Sequence, residues 1–191
     1  MNALALYQDF FEAPESSVRE VQDRLPLAAG ASAYLLAALS IFLARALFGG
    51  GRLFGGYGPT LAMTAAWHLG AGFLSSAVIH WLAEGFGGKG RALPLFVLLG
   101  LSELAWALVL PLAFLLRAAA PGSAFAFPAC MAFVGAGVLC LKARSIRLNY
   151  GLGPGSSWLV LLLPFLLAAA ALALTLSLTL WGAALQVSRM F

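Results

Sequence analysis

The chain has 191 residues, of which 62% are hydrophobic and only 9% are charged, and its formal net charge is +4. A soluble domain carries about 25% charged residues, so this chain has too few of them to cover itself with a surface that faces water. The composition therefore excludes an ordinary soluble enzyme or binding module, and it predicts an integral membrane protein.

Residues 1–25 precede the first long apolar run and are predicted to form a short amphipathic segment. Tyr7, Phe10 and Phe11 alternate with acidic residues, and Pro14 interrupts the segment before helical spacing resumes. Amphipathic helices of this kind lie in the interface between lipid and water. We expect the segment to lie there, on the cytoplasmic side, with its aromatic side chains inserted. Recognition of a soluble partner is the alternative.

Five long apolar stretches follow, and each is long enough to cross a bilayer as a helix. An α-helix needs roughly 20 apolar residues to cross a hydrocarbon core about 30 Å thick. The pattern predicts an all-α polytopic membrane bundle, and the short connections predict a single domain over residues 26–191. The five transmembrane helices are predicted over residues 26–47, 59–83, 93–116, 123–141 and 158–184.

The distribution of basic residues predicts how the bundle is oriented. Five helices place the termini on opposite sides, and most of the eleven Lys and Arg residues fall on the side of the N-terminus. These include the basic residues of the longest predicted connection, residues 142–157. Because cytoplasmic loops carry an excess of Lys and Arg, we predict that the N-terminus is cytoplasmic and the C-terminus is outside.

Small residues recur on the predicted helices and suggest where helices approach closely. Gly70 with Gly72, and Gly135 with Gly137, form the two clearest groups. Small side chains let membrane helices gain dispersion contacts that lipid cannot supply. We therefore expect these two groups to form packing faces.

Glu103 is a carboxyl group near the middle of the third predicted helix, where it needs a partner. An ionised carboxylate in hydrocarbon is costly, so such groups are protonated or paired and face the interior of the bundle. Counted along the neighbouring antiparallel helix, His68 reaches a similar depth. We expect a hydrogen bond between His68 and Glu103, which either is structural or belongs to a proton relay or a substrate site. The structural alternative is a bond from Glu103 to a backbone carbonyl group that Pro111 leaves free.

The predicted cytoplasmic loops carry a cluster of basic residues close to the membrane surface. We predict one basic patch comprising Lys89, Arg91, Lys142, Arg144 and Arg147. Anionic lipid headgroups attract such clusters, so membrane lipids are the expected partners and nucleic acid is not. The Gly87–Gly90 turn has neither the spacing nor the strand and helix of a P-loop, so it is expected only to turn the chain.

The sequence offers no set of residues for catalysis or for a cofactor. His80 and Glu84 lie on one helix face, but two residues are too few for a closed metal site, and they are expected to form an interfacial pair. No nucleophile and base can be assembled. We therefore predict a protein that is not an enzyme and that holds no metal or cofactor. Besides membrane lipids, the expected partners include another membrane protein or a second copy of the chain.

The layout resembles the Yip1-domain family of five-helix membrane proteins, in its short prokaryotic form. The features that carry the resemblance are Gly87-Gly88-Lys89-Gly90, Gly100, Pro111, the stretch from Lys142 to Leu148, and Pro164. The resemblance implies a five-helix bundle in a bacterial inner membrane with a cytoplasmic N-terminus. It implies no catalytic residue. Eukaryotic members are associated with vesicle traffic and small GTPases through a longer cytosolic N-terminal region.

Two functions from different classes remain open. In the first, the protein is a non-catalytic membrane scaffold that organises lipids or partner proteins, as the family resemblance implies. In the second, it is a small proton-linked transporter or permease-like component that uses His68 and Glu103 near the membrane midplane. We expect the scaffold, because the five helices show no inverted repeat and one acid with one histidine is a short proton pathway.

Overall fold

The computed structural model describes residues 3–50, 55–120, 122–123 and 125–188, with residues 182–188 described by their backbone alone. Within these ranges all of the regular structure is helical, so the prediction of an all-α bundle is confirmed. Part of the predicted connection between the first two spanning helices lies outside the described residues. The helices are α1 (Ala3–Glu12), α2 (Pro14–Arg24), α3 (Leu27–Leu47), α4 (Tyr57–Gly85), α5 (Ala92–Glu103), a 3-10 turn (Leu104–Leu108), α6 (Val109–Ala119), α7 (Ala126–Tyr150) and α8 (Pro154–Ser188).

Five helical segments are long and apolar enough to cross a membrane, in agreement with the predicted number. The segments are Leu27–Leu47, Tyr57–Gly85, Ala92–Ala119, Ala126–Tyr150 and Pro154–Trp181. The third, which was predicted as one helix over residues 93–116, instead combines α5, the 3-10 turn and α6. The other predicted spans agree with the observed helices to within a few residues, except at the end of the fourth.

The prediction that the fourth span ends at residue 141 is wrong, because α7 continues to Tyr150. Ala143, Ile146 and Tyr150 keep helical spacing and are buried against the rest of the bundle. Gly151 then adopts a left-handed conformation with φ of 68°, which ends the helix as glycine commonly does. The predicted connection over residues 142–157 is thereby reduced to residues 151–153.

The tightest packing joins α3, α4 and α5 around Tyr34. A Cβ atom on Gly100 of α5 would lie 2.7 Å from the carbonyl oxygen of Gly30 in α3, so these two backbones are nearly in contact. Gly72 of α4 lies against the Tyr34 ring, where a Cβ atom would come within 2.4 Å. The Tyr34 hydroxyl donates a hydrogen bond to the Phe96 carbonyl oxygen at 3.3 Å. Small residues therefore let these three helices approach, as the sequence suggested for Gly72.

The N-terminal helices α1 and α2 form a hairpin that packs on the same end of the bundle as the last turns of α7. The apolar side chains that hold it there are Leu6, Phe10, Val18 and Val21, which are buried against Val97, Leu98 and Leu101 of α5. The Tyr7 and Ser32 hydroxyls also hydrogen-bond at 2.6 Å. The expectation that the aromatic residues insert into the lipid interface is therefore wrong for Phe10. That residue has a protein surface to pack against, whereas Phe11 remains exposed.

Helix α8 leaves the bundle partway along its length. Val160 and Leu161 are buried, but every residue from Phe165 to Trp181 is exposed, beginning just after Pro164. Thr175, Ser177 and Thr179 return their hydroxyls to the α8 backbone. An apolar helix whose polar groups are satisfied internally is stable in lipid, so this half of α8 is suited to contact lipid on all sides.

Candidate intramembrane binding groove

Glu103 is the last residue of α5, at the point where the third span changes from α-helix to a 3-10 turn. It is buried, with 7% of its surface exposed, and it lies about 16 Å along the helix from Ala92. The interruption has an identifiable cause in Pro111. Proline has no N–H to offer the carbonyl four residues earlier and its ring clashes with that carbonyl, so the turn before Pro111 cannot remain regular.

The carbonyl group that Pro111 leaves without its helical partner belongs to Ala107. The Ser40 hydroxyl of α3 donates a hydrogen bond to this oxygen at 3.2 Å. A free carbonyl inside a membrane would be costly, and side-chain hydroxyls are one way in which membrane proteins satisfy it. Ser40 therefore stabilises the broken helix that presents Glu103 and Trp106 to the groove described below.

The partner of Glu103 is Lys142 of α7, and the predicted hydrogen bond between Glu103 and His68 is wrong. The Lys142 ammonium nitrogen lies 2.5 Å from Glu103 Oε1, and both side chains are largely buried. The prediction failed because it treated Lys142 as part of a loop, whereas α7 carries it alongside α5. An ion pair compensates a buried carboxylate more fully than a neutral imidazole does, since each charge neutralises the other.

His68 forms its hydrogen bond within its own helix. Its Nδ1 atom lies 2.9 Å from the Thr64 carbonyl oxygen, one turn earlier in α4. The histidine nevertheless faces the same groove as Glu103 and Lys142. The structure therefore brings the two residues of the predicted polar pair to one groove, on α4 and α5, without a hydrogen bond between them.

The groove has a volume of about 950 Å³ and lies between α4 and α7. Helix α4 packs mainly on α3, α5 and α8, while α7 packs mainly on α5, α6 and α8, so the two walls are separated. Tyr34, Leu99 and Trp106 contribute to the floor, and Phe165 of α8 borders one side. Several wall residues, including Trp67, are strongly exposed, so the groove opens laterally towards the surrounding lipid.

In each of the two predicted packing faces, one glycine packs against a neighbouring side chain and the other does not. Gly72 contacts Tyr34, and a Cβ atom on Gly135 would lie 3.1 Å from the Trp106 ring. By contrast, a Cβ atom on Gly70 or on Gly137 would meet nothing within 4 Å. Gly70 lines the groove, whereas Gly137 does not. One glycine of each group therefore serves close packing, and the other faces open space.

The groove combines apolar walls with one buried ion pair and one imidazole. Among the described residues, no group of three His, Cys, Asp or Glu side chains could hold a metal ion. Glu103 and Lys142 together are neutral, and each retains polar atoms that a bound molecule could contact. Pockets of 300–1,000 Å³ with mainly apolar walls and a few polar groups are typical of small-molecule sites.

The predicted basic patch is divided by the structure. Lys142 does not belong to it, because its ammonium group points into the bundle towards Glu103. Arg91 donates a hydrogen bond to the Gln22 carbonyl oxygen and so holds the N-terminal hairpin. Lys89, Arg144 and Arg147 are exposed at this same end of the molecule.

His80 and Glu84 form the pair that their spacing predicts, with 3.6 Å between His80 Nε2 and Glu84 Oε1. The other ring nitrogen of His80 lies 2.9 Å from the Tyr150 hydroxyl. Next to Tyr150, the Asn149 side-chain amide donates to the Arg91 carbonyl oxygen at 3.1 Å. Gln22 donates to the Asn149 side-chain oxygen at 3.0 Å. This network joins α2, α4 and α7 at one end of the bundle.

The sequence analysis missed the role of Lys142, although a signal was present. The apolar residues after it, Ala143, Ile146 and Tyr150, continue the helical spacing of α7. That spacing indicates that the helix extends past the first basic residue, and it places Lys142 on a helix within the bundle. A lysine there requires an acidic partner, and Glu103 is the only acidic residue in the charge-poor stretch over residues 92–116.

Comparison of the chain with protein-family models, with curated proteins and with solved structures gives no match. The resemblance to the Yip1-domain family therefore stays a prediction.

Proposed function

We propose that the protein is a non-catalytic integral membrane scaffold that organises lipids, and that it does so by holding an amphiphilic molecule in the groove between α4 and α7. The observation that carries this proposal is the groove of about 950 Å³ that reaches the Glu103–Lys142 ion pair. A space of this size that opens towards lipid is filled by whatever the bilayer supplies, and lipid chains match its apolar walls.

The position of the polar groups selects an amphiphile over a pure hydrocarbon. Glu103, Lys142 and His68 all border the groove, and a molecule with a polar group at that depth gains hydrogen bonds there. These groups already have partners within the protein, but each keeps hydrogen-bonding atoms that a polar end or a polar ring substituent of a ligand can engage.

A scaffold is favoured over an enzyme because the polar groups of the groove already have structural partners. Lys142 is paired with Glu103, and His68 is bonded to its own helix. Among the described contacts, these three groups bond to a carbonyl oxygen or to each other, and not to a hydroxyl or thiol that could act as a nucleophile. The remaining hydroxyls of the described spans largely bond to nearby carbonyl groups.

We propose a bacterial inner membrane as the location, with the end that carries Arg91, Arg144 and Arg147 in the cytoplasm. The excess of basic residues at this end supports the orientation. Because the proposed C-terminus is outside, a reporter that functions only outside the cytoplasm should be active when it is fused after residue 191. Reporter activity confined to the cytoplasm would contradict the orientation.

The groove can be tested with one pair of matched variants. A Cβ atom on Gly70 or on Gly137 meets nothing within 4 Å, so Gly70→Leu adds a side chain at the groove and Gly137→Leu adds the same group to α7 outside the groove. After purification in a mild detergent, bound lipids are extracted and quantified by mass spectrometry. Gly70→Leu should lose most of the tightly bound amphiphile, while Gly137→Leu should keep it. Equal amounts in both variants and in the wild type would contradict the proposal.

A proton-linked transporter is the second candidate, and one observation favours it. Three titratable residues, His68, Glu103 and Lys142, border one groove beside a broken helix, and transporters use discontinuous helices at their binding sites. The test is proton flux into liposomes that contain a pH-sensitive dye. Flux present in the wild type and absent in Glu103→Gln/Lys142→Met would favour the transporter. If the wild type shows no proton flux, the scaffold remains the favoured function.

A further inference from the structure

We propose that Arg144 and Arg147 form a headgroup site for one anionic phospholipid, at the seam where α7 meets the beginning of α8. This site is separate from the groove, since neither arginine borders the groove. The proposed ligand is a phospholipid of the same leaflet, with its phosphate group at the two arginines and its acyl chains along the apolar surface of the two helices.

The two arginines share a cleft of about 310 Å³. They lie three residues apart on α7, which puts them on the same helix face. The other residues that line the cleft are Cys140, Ala143, Pro154, Ser157 and Trp158. Since α8 begins at Pro154, the positive end of its helix dipole adds to the positive potential of the arginines.

The charges of these arginines are not neutralised within the described part of the protein. The ion pairs found there join Arg24 with Glu20, His80 with Glu84, and Lys142 with Glu103. Arg144 also borders a second cleft that contains Glu15, but the two side chains form no ion pair. Guanidinium groups bind phosphate oxygens through two parallel hydrogen bonds, and both arginines have this capacity available.

The surroundings of the cleft favour a lipid over a soluble phosphate compound. Trp158 borders it and is partly exposed, and tryptophan is enriched where the membrane meets water. Cys140, which lines the cleft, and Leu159 and Leu162, which follow Trp158 in α8, are apolar and exposed. A phospholipid in its normal orientation therefore meets charge at its phosphate group and apolar surface along its chains.

The test uses the full-length protein in a neutral detergent, titrated with phosphatidylglycerol and followed by native mass spectrometry. Each arginine near an anionic surface contributes about 1 kcal/mol, so Arg144→Gln/Arg147→Gln should weaken binding about thirtyfold. The matched control is Arg45→Gln/Arg117→Gln, which removes two exposed arginines from the opposite end of the bundle. The control should bind phosphatidylglycerol like the wild type.

Additional ligands identify the class of molecule that binds, and a single variant keeps the test usable if the double variant does not fold. Phosphatidylcholine should bind more weakly than phosphatidylglycerol, and soluble glycerol phosphate should not compete. The single variant Arg147→Gln should lose about fivefold in affinity, which keeps the test usable if the double variant does not assemble. Equal losses in the control pair, unchanged binding by the Arg144/Arg147 variants, or efficient competition by glycerol phosphate would each overturn the proposal.

Discussion

The inner spans of this protein, α3 and the third span, are far more buried than the outer spans, α4, α7 and α8, and this difference does not follow their hydropathy. Of the most apolar 18 residues of the third span, over Ala92–Ala119, 61% are buried inside the protein, and for α3 the share is 56%. Helix α8 is the most apolar of the five spans, yet only 11% of the corresponding residues are buried. Helix α4, the least apolar, has 17% buried, and α7 has 28%. In this protein, hydropathy does not indicate which helices form the core.

The difference in burial arises because the spans of a membrane protein are surrounded by lipid and not by water. In water, an apolar side chain is driven into the core, but lipid tails are as apolar as leucine and provide no such drive. Close packing must then come from shape. The inner helices have Gly30, Gly100 and Tyr34 in direct contact, whereas the outer half of α8 carries exposed leucines and alanines. Helices α4 and α7 are not packed against each other, which leaves the groove between them open.

The largest effect is expected from a charge change at the centre of the inner spans. Glu103→Lys places two ammonium groups together in a medium of low dielectric constant. Breaking a buried pair costs about 3–5 kcal/mol, and repulsion between the introduced lysine and Lys142 adds to that cost. We expect almost no monodisperse protein after extraction in mild detergent, as measured by size-exclusion chromatography.

The control for this prediction removes both charges together. Glu103→Gln/Lys142→Met leaves no unpaired charge, and replacing both members of a buried pair is often neutral for stability. This double variant should be recovered at nearly the yield of the wild type. A Glu103→Lys variant with the yield and thermal stability of the wild type would show that Glu103 has ready access to water.

The next-largest effect is expected from one methyl group added to an inner span, compared with the same group added to an outer span. A Cβ atom on Gly100 would lie 2.7 Å from the Gly30 carbonyl oxygen, whereas a Cβ atom on Gly137 meets nothing within 4 Å. Gly100→Ala should therefore destabilise the bundle by about 1–3 kcal/mol through overpacking. Gly137→Ala should change stability little. Thermal unfolding in detergent measures both, and equal melting temperatures for the two variants would contradict the distinction between inner and outer spans.

The smallest effect concerns the hydrogen bond that satisfies the broken helix. Ser40→Ala removes the donor to the Ala107 carbonyl oxygen and should cost about 1 kcal/mol, the typical net contribution of one hydrogen bond. The matched control is Ser177→Ala in the exposed half of α8, where the hydroxyl bonds only to its own helix. Stability is measured by thermal unfolding of both variants. A loss as large for Ser177→Ala as for Ser40→Ala would contradict the role given to Ser40.

The sequence by itself determined that the protein is an all-α bundle with five spanning helices, and it located most of their ends. Length and the absence of charge decide both, because only helices of roughly 20 apolar residues cross the hydrocarbon with every backbone group satisfied. It also singled out Glu103 as a buried group in need of a partner. The local spacing of His80 and Glu84 was sufficient to predict their contact, since one helix turn separates them.

Only the tertiary structure decided which groups meet across helices. The choice of Lys142 over His68 as the partner of Glu103 depends on α7 continuing past residue 141 and on its alignment beside α5. The burial of Phe10 depends on a surface built from α5, and the groove depends on the separation of α4 from α7. In a bilayer these arrangements are set by the shapes of facing side chains, which hydropathy along a single chain does not encode.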